Sequence, residues 1–556
     1  MQLSRVLGNV AKKLKPENKQ TTRLNEYRLI IGLEIHAQLN ASVKLFSNSS
    51  VGSEQSEPNT HVTPFDAAIP GTLPKLNQEP LSKALSAAAA LNFTISRTSS
   101  FDRKHYFYYD LPQGYQITQQ YNPLAHSGHL ALHAHCDDVT RDFAVALPRI
   151  QLEQDTGKAH LHTRTPTLTP LVDLNRCGVA LVEIVTRPDM HSAEEAVAFM
   201  KKLRSTLRAA GVCSGHMEAG NLRADVNVNV EYAPASASGS AATPRIRTAR
   251  VEVKNLNSLR SMAGAIQYEY ERHARALEEG RGDAIQQDTL GWDVQRGATY
   301  KLRSKEEAVD YRYMPDPNLR EVILGDEQMA SVQEYLQQCA PFLPDALRER
   351  LMQTYALSAR DVNVLLAVNE DLWAGDSRRS LGSGGGSASH DHAHVNTQTP
   401  KPPSIVRFFE HLAHLSADPQ LAVNWTIHEL LAQFAARASP FDETTIPAHR
   451  LHALLALIQT SQVTSTAAKK VLAHMFDSDK TPATIVDELD LRMLPVHVLD
   501  DVVQRTIEDL PDESTKASQG NTKVVRKLIG HAMKVARGKA DGSRVEKMLR
   551  DRLGIH

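Results

Sequence analysis

The sequence predicts an α+β protein: an N-terminal domain built mainly on antiparallel sheet, followed by all-helical domains. Three observations carry this. From Glu26 to about Leu324 the chain runs in short alternating apolar and polar segments punctuated by Gly, Pro and Asn, the signature of strands and turns. Two stretches within that region, Ser192–Ala210 and Ser261–Gly280, instead space their apolar residues as helices do. After about Asp326 helical spacing takes over, as in Leu451–Gln459, Thr466–His474 and Thr522–Arg537. A chain of 556 residues accommodates three or four domains of about 150 residues. The expected division is an α+β domain over 26–324, a helical domain over 325–440 and a C-terminal helical domain over 441–556.

Two further segments stand apart from these domains. The first 25 residues carry Arg5, Lys12, Lys13, Lys15, Lys19 and Arg23 against the single acid Glu17, a composition that suits an organellar transit peptide. A frayed basic terminus is the competing reading. Ser377–Ser404 is rich in Gly, Ser, His and Pro and almost free of large apolar residues, so it cannot bury enough surface to offset its ordering entropy and reads as a disordered insert. The cluster His390, His392 and His394 within it reads as a solvated loop before it reads as a metal site. The Ala/Ser-rich stretch Ala233–Thr243 reads as a hairpin loop.

Composition excludes several function classes. Lys+Arg 63 against Asp+Glu 64 gives a net charge of −1, which rules out a globally basic nucleic-acid coat and a strongly acidic solvating protein. Cys136, Cys177, Cys213 and Cys339 stand far apart with no C-x-x-C pair, so neither a disulfide framework nor a zinc ribbon fits. No membrane span is expected, because no segment approaches the ~18 uninterrupted apolar residues required, and the candidate Leu81–Phe93 is interrupted by Lys83. The chain has no P-loop, no dinucleotide-binding G-x-G-x-x-G, no H-E-x-x-H and no nucleophile elbow.

Where the carboxylates sit is more informative. In Leu29–Leu39 strand alternation puts Leu29, Ile31, Leu33, Ile35, Ala37 and Leu39 on one face and Gly32, Glu34, His36 and Gln38 on the other. Glu34 and His36 therefore project together and can share a divalent cation or a proton, with a solvated outer face as the alternative. The pattern recurs. Glu153 and Asp155 lie opposite Ile150 and Leu152, Asp225 and Asn227 opposite Val226 and Val228, and Glu252 and Lys254 opposite Val251 and Val253. Glu183 stands in the almost wholly apolar run Val179–Val185, where a carboxylate is costly unless paired or metal-bound. Strands that offer carboxylates to one shared face would form a concave, oxygen-rich site suited to Mg²⁺. Six aromatics, Phe101, Tyr106, Phe107, Tyr108, Tyr109 and Tyr115, crowd one charged segment, which reads as a substrate-contacting surface or as core packing.

Several segments carry a specific resemblance. IGLEIHAQL (31–39), PGTLPKLN (70–77), FDRKHYFYYDLPQGYQIT (101–118), LVDLNRCGVALVEIVTRPDM (171–190), MEAGNLRADVNV (217–228), VEVKNLNSLR (251–260) and DYRYMPDPNL (310–319) resemble the B-subunit family of the aspartyl/glutamyl-tRNA(Asn/Gln) amidotransferases, and the basic start together with the low-complexity linker points to its mitochondrial form. The tail IGHAMKVARGKADGSRVEKMLRDRL (529–553) is similar to that family's C-terminal helical domain. The resemblance implies a catalytic cradle domain. It also implies a subunit of glutaminyl-tRNA synthase (glutamine-hydrolysing), a carbon–nitrogen ligase that uses ATP and Mg²⁺ to phosphorylate the side chain of glutamate carried on tRNA(Gln). The A (glutaminase/amidase) subunit supplies ammonia from glutamine, and a small third subunit completes a heterotrimer in the mitochondrial matrix. Acceptance of Asp-tRNA(Asn) is left open.

Residue roles follow by the same resemblance. Glu34, His36, Glu153 and Glu218 match metal and catalytic positions, and Lys104 matches a catalytic one. Asp102, Arg103, Tyr108, Asp173, Asn175, Lys254 and Asn255 match substrate or channel positions, although Asp173, Asn175, Lys254 and Asn255 serve equally well as structural hydrogen-bonders. Three departures matter. Ala219 stands where the family usually has a second Glu, Gln151 and Gln154 replace commoner His and Glu, and TPFDAAIPG (63–71) lacks the cysteines of the zinc segment found in some members. No structural zinc is expected. The missing acid at Ala219 motivates an alternative, a non-catalytic tRNA-binding scaffold subunit of the same complex. Residues 521–556 hold ten Lys/Arg against Asp541, Glu546 and Asp551, a net of +7, and Lys534, Arg537 and Lys539 are the expected tRNA phosphate contacts.

Overall fold

The structure, a computed structural model, describes residues 27–53, 55–162, 169–232, 246–304, 310–367, 404–439, 441–519, 521–536 and 538–555. The N-terminal basic segment, the hairpin loop over 233–243, most of the 377–404 insert and Arg537 lie outside them. The chain divides into two compact units, one reaching through Leu347 and the other beginning at Arg348.

The first unit is the expected α+β domain. Its strands are β1 (Tyr27–Gln38), β2 (Thr94–Ile95), β3 (Thr98–Ser99), β4 (Asp102–His105), β5 (Tyr115–Thr118), β6 (Ala125–Leu132), β7 (Phe143–Gln154), β8 (Lys158–His162) and β9 (Thr169–Asp173). They continue with β10 (Ala180–Val185), β11 (Leu222–Tyr232), β12 (Ile246–Arg247), β13 (Val251–Leu256), β14 (Thr289–Asp293), β15 (Ala298–Arg303), β16 (Met314–Pro315) and β17 (Val322–Ile323). Ten of them form one sheet in the order β15-β14-β13-β11-β1-β10-β7-β6-β2, with β12 beside β11. Every pairing in it is antiparallel except β13 with β14.

Alternation along β1 fixes how this sheet is used. Leu29, Ile31, Leu33, Ile35 and Ala37 are buried, whereas Gly32, Glu34, His36 and Gln38 are only partly so. The apolar set joins a core that includes Phe199, Met200, Leu203 and Leu207 of the helix Ala193–Ala209 and Met262, Ala265 and Ile266 of the helix Leu259–Glu278. Each buried Leu, Ile or Phe contributes about 2 kcal/mol by leaving water, and a one-residue slip of β1 would forfeit the whole row. Side-chain caps hold both helices at their starts: Ser192 accepts from the Glu195 N–H and Ser258 from the Ser261 N–H. With the apolar face covered by helices, the polar face is left for a site.

A small three-stranded sheet, β16-β4-β5, packs against β7 on that polar face, since Gln116 and Thr118 of β5 hydrogen-bond Glu153 and Gln119 accepts from the Leu152 N–H at 3.0 Å. The first unit also extends past the 324 boundary read from the sequence. Met329 and Val332 of the helix Asp326–Cys339 pack on the sheet core, and the Tyr335 hydroxyl donates to the Ala210 carbonyl at 2.9 Å. A helical stripe in the sequence does not reveal which core it serves.

The second unit is all-helical over its described residues. Its C-terminal helices Thr522–Val535 and Gly542–Leu553 bury Val525, Leu528, Ala532, Val545 and Leu549 against Leu499 and Val503 of Val496–Asp509. No helix among the described residues is long and apolar enough to cross a membrane.

Candidate active site

The polar face of the large sheet brings charged residues from neighbouring strands into register. His36 lies opposite Glu183 of β10 on one side and Arg223 of β11 on the other, and Glu183 lies opposite Gln151 of β7. The row Gln151–Glu183–His36–Arg223 thus crosses four strands. Glu34 and Asp225 oppose each other two residues along. Glu34, His36 and Glu183 each offer one ligand atom, all within 4.8 Å of one another; among the described residues no other group of three His, Cys, Asp or Glu does so. Two carboxylates and an imidazole at this spacing fit a divalent cation.

The electrostatics of the group follow from burial and mutual approach. Burial works against a charge on His36, but the Glu183 carboxylate, 3.7 Å from its Nε2, together with Glu153 and Glu34, raises its pKa above the ordinary value. Burial would lift Glu183 as well, yet the close approach of His36 and the charges of His36, Lys104 and Arg149 hold it down at about 2. Glu34 shifts upward through burial and the Glu183 charge, only partly offset by His36 and Lys254. The Glu183 charge thus opposes ionisation of Glu34, as expected of two carboxylates this close.

Glu153 stands beside the group, its Oε1 3.8 Å from His36 Nε2. Thr118 Oγ1 donates to its Oε2 at 2.8 Å, Gln116 Nε2 donates to its Oε1, and burial raises its pKa against the pull of Lys104. Lys104, on β4, has its Nζ 5.0 Å from the centre of the Tyr311 ring. Burial opposes its charge, but Glu153, Tyr313 and Glu183 outweigh that and raise its pKa. On the far side Lys254 Nζ binds Asp225 at 2.6 Å and Glu252 at 3.1 Å, so a fixed cation flanks Glu34.

The remaining residues singled out in the sequence lie elsewhere. Glu218 is exposed on the turn at 217–220 and is not in the three-residue group, whose second carboxylate is Glu183. Buried Asp102 accepts from the Gln120 and Tyr121 N–H groups at 2.8 and 3.0 Å, anchoring the chain after β5. Arg103 pairs with Asp316 at 2.7 Å and lies over the Tyr115 ring, tying β4 to β16. Asp173 accepts from the Asn59 and Asn175 N–H groups and Asn175 accepts from the His61 N–H, so both fasten the loop near residue 60. Tyr108 projects with Phe107 and Tyr109 from the exposed loop after β4, and Asn255 is exposed at the end of β13 with φ +62°. Glu183 stands out in the sequence by its apolar surroundings; only strand pairing puts it opposite His36.

In the tail, Lys534 is exposed, but Lys539 is largely covered and paired with Asp490. Lys527 pairs with Glu513 and Arg552 with Asp500, so acids from earlier helices neutralise part of the +7 counted over residues 521–556.

Comparison with known proteins agrees with this architecture. Residues 29–330 match the family model described as the GatB/GatE catalytic domain, and residues 407–553 match the GatB domain. The chain is 38% identical to the mitochondrial glutamyl-tRNA(Gln) amidotransferase B subunit of Laccaria bicolor, over 96% of this chain and 93% of that one. It is 37% identical to the protein of the same name from Cryptococcus neoformans, over 95% and 94%. It is also 38% identical to the aspartyl/glutamyl-tRNA(Asn/Gln) amidotransferase B subunit of Caulobacter vibrioides, over 96% and 98%. A sheet whose acidic face carries Glu34, His36 and Glu183, joined to a helical tail and matched along nearly its whole length, places this chain in the family of tRNA-dependent amidotransferase B subunits.

Proposed function

We propose that this chain activates the side chain of glutamate carried on tRNA(Gln) by ATP- and Mg²⁺-dependent phosphorylation, so that ammonia supplied by the A subunit can form Gln-tRNA(Gln). The observation that carries the reading is the Glu34–His36–Glu183 group with Lys104 and Glu153 beside it. A carboxylate is a poor acyl donor because its leaving group would be oxide, and phosphorylation supplies a better one. Glu34, His36 and Glu183 would hold the Mg²⁺, with Glu153 next to them. Bound there, Mg²⁺ supplies charge neutralisation for crowded phosphate oxygens and fixes their orientation.

The chain's own groups then have separate roles. Lys104 stays protonated between Glu153 and Glu183 and offers a positive charge to an anionic reacting group. Glu153 is held rigidly by Thr118 and Gln116, and its raised pKa suits it to take the proton shed as neutral ammonia attacks. The relatives' names support membership of a multi-subunit amidotransferase, and the proposal includes the A subunit together with a small third subunit. Mitochondrial relatives and the basic start support action in the matrix, which import of a reporter carrying residues 1–25 into mitochondria would test.

The deciding experiment is amidation of Glu-tRNA(Gln) by the reconstituted complex with glutamine and ATP. Glu34→Gln and His36→Ala should each lower Gln-tRNA(Gln) formation at least a hundredfold while glutamine hydrolysis by the A subunit persists. Undiminished amidation would instead favour the scaffold alternative.

A further inference from the structure

Gln151 carries a polar atom at the site that calls for an explanation. It is 2% exposed, yet among the described residues its side-chain oxygen Oε1 meets no hydrogen-bond donor. A buried carbonyl left this way costs about 1–3 kcal/mol. Turning the carboxamide over does not remove the problem. Its nitrogen donates to Glu183 Oε2 at 3.0 Å and to Thr118 Oγ1 at 3.1 Å, and the Thr118 hydroxyl proton is already given to Glu153. Both neighbours therefore need a donor, which fixes Nε2 towards them and leaves Oε1 as the orphan.

The position of that orphan is bounded by covalent geometry. The two terminal atoms of a carboxamide are about 2.2 Å apart, so Oε1 lies within about 5 Å of Glu183 Oε2, given the 3.0 Å contact from Nε2. Glu183 is in turn one of the three residues whose ligand atoms lie within 4.8 Å of one another. Gln151, Glu183 and His36 also stand in one cross-strand row. An electron-rich, undonated oxygen at the edge of a two-carboxylate, one-imidazole group is what a hard cation needs and what an empty apolar pocket would not tolerate.

We propose that the Gln151 carboxamide oxygen is a further donor to the divalent cation of this site, alongside Glu34, His36 and Glu183. The proposal rests on the cation reading of that group and adds a neutral oxygen ligand from β7. Gln151 then grips Glu183 with its nitrogen and the cation with its oxygen, adding affinity without adding a negative charge.

The test is direct binding of Mn²⁺, as a spectroscopic stand-in for Mg²⁺, to the full chain in its complex, followed by electron paramagnetic resonance with no tRNA or ATP present. The wild type should show one saturable site that Mg²⁺ competes for, and Glu183→Gln should lose it. Gln151→Met keeps the side-chain length but removes the oxygen, and should weaken Mn²⁺ roughly tenfold or more. Gln151→Asn keeps the amide but draws the oxygen back by one methylene, and should weaken it comparably, so the answer survives if the Met variant misfolds. Unchanged affinity in a folded Met or Asn variant, with Glu183→Gln impaired, would overturn the role of Gln151 alone. Absence of any saturable Mn²⁺ site in the wild type would overturn the cation reading beneath it.

Discussion

The buried ion pair Lys44–Asp66 makes the sharpest stability prediction. Both side chains are inaccessible to solvent, with Nζ 3.2 Å from Asp66 Oδ2. The same carboxylate oxygen also accepts from Ser47 Oγ at 3.2 Å, from the Thr63 N–H at 2.9 Å and from the Thr63 hydroxyl at 3.0 Å. Lys44 donates a second bond to the Leu174 carbonyl at 3.2 Å. The segment TPFDAAIPG is thus fastened by a charge pair to the loop that follows β1. Asp66→Asn leaves the ammonium buried without its counter-charge, a loss of about 3–5 kcal/mol by the usual cost of breaking such a pair. Burial already pushes the Lys44 pKa down, so the variant can relieve part of that loss by releasing the proton. The assay is urea unfolding of the full chain, comparing midpoints at unchanged slope. The double variant Lys44→Met/Asp66→Leu removes both charges and should recover at least half of the single-variant loss. A loss below about 1 kcal/mol for Asp66→Asn, or a double variant as unstable as the two singles added together, would refute the argument.

Two further outcomes follow from the site and the tail. In protein stripped of metal, His36 has a pKa raised above 6.5, so its contribution to stability is complete below pH 6.5 and is lost as pH rises through the folded value. Glu183 is depressed to about 2, so its contribution is complete above pH 4.5 and is lost as pH falls from there towards 2. Glu183→Gln should lower the His36 pKa and flatten both limbs, as read by imidazole NMR and by unfolding across pH; an unmoved His36 titration would contradict the pairing. In the tail, Lys534→Ala should weaken tRNA binding and reduce the slope of log affinity against log salt by about 1. Lys539→Ala should do so less, because Asp490 already holds that ammonium; equal effects would show that the pair opens on binding.

Local pattern carried much of this protein's architecture. The two-residue alternation of Leu29–Leu39 placed Glu34 and His36 on one face, and the structure puts the apolar set of the same strand in the core. The helices expected at Ser192–Ala210 and Ser261–Gly280 form at Ala193–Ala209 and Leu259–Glu278, each started by a serine cap. Such features depend on residues a few positions apart, so the sequence contains everything that decides them. The family resemblance added the chemistry, but by its nature it pointed to Glu218 before Glu183.

What tertiary structure alone decided is which distant residues meet. Glu183 opposes His36 because β10 pairs with β1 in one register, and Gln151 joins them because β7 pairs with β10. Asp102 and Arg103 sit next to Lys104 in the chain, yet they turn to Gln120, Tyr121 and Asp316 while Lys104 alone reaches the acidic group. The +7 of the tail is reduced by Asp490, Asp500 and Glu513, which a count over residues 521–556 leaves out. The physical reason is the same in each case. Burial and Coulomb energy depend on distance in space, and strand register and helix packing, which spacing along the chain does not determine, set that distance.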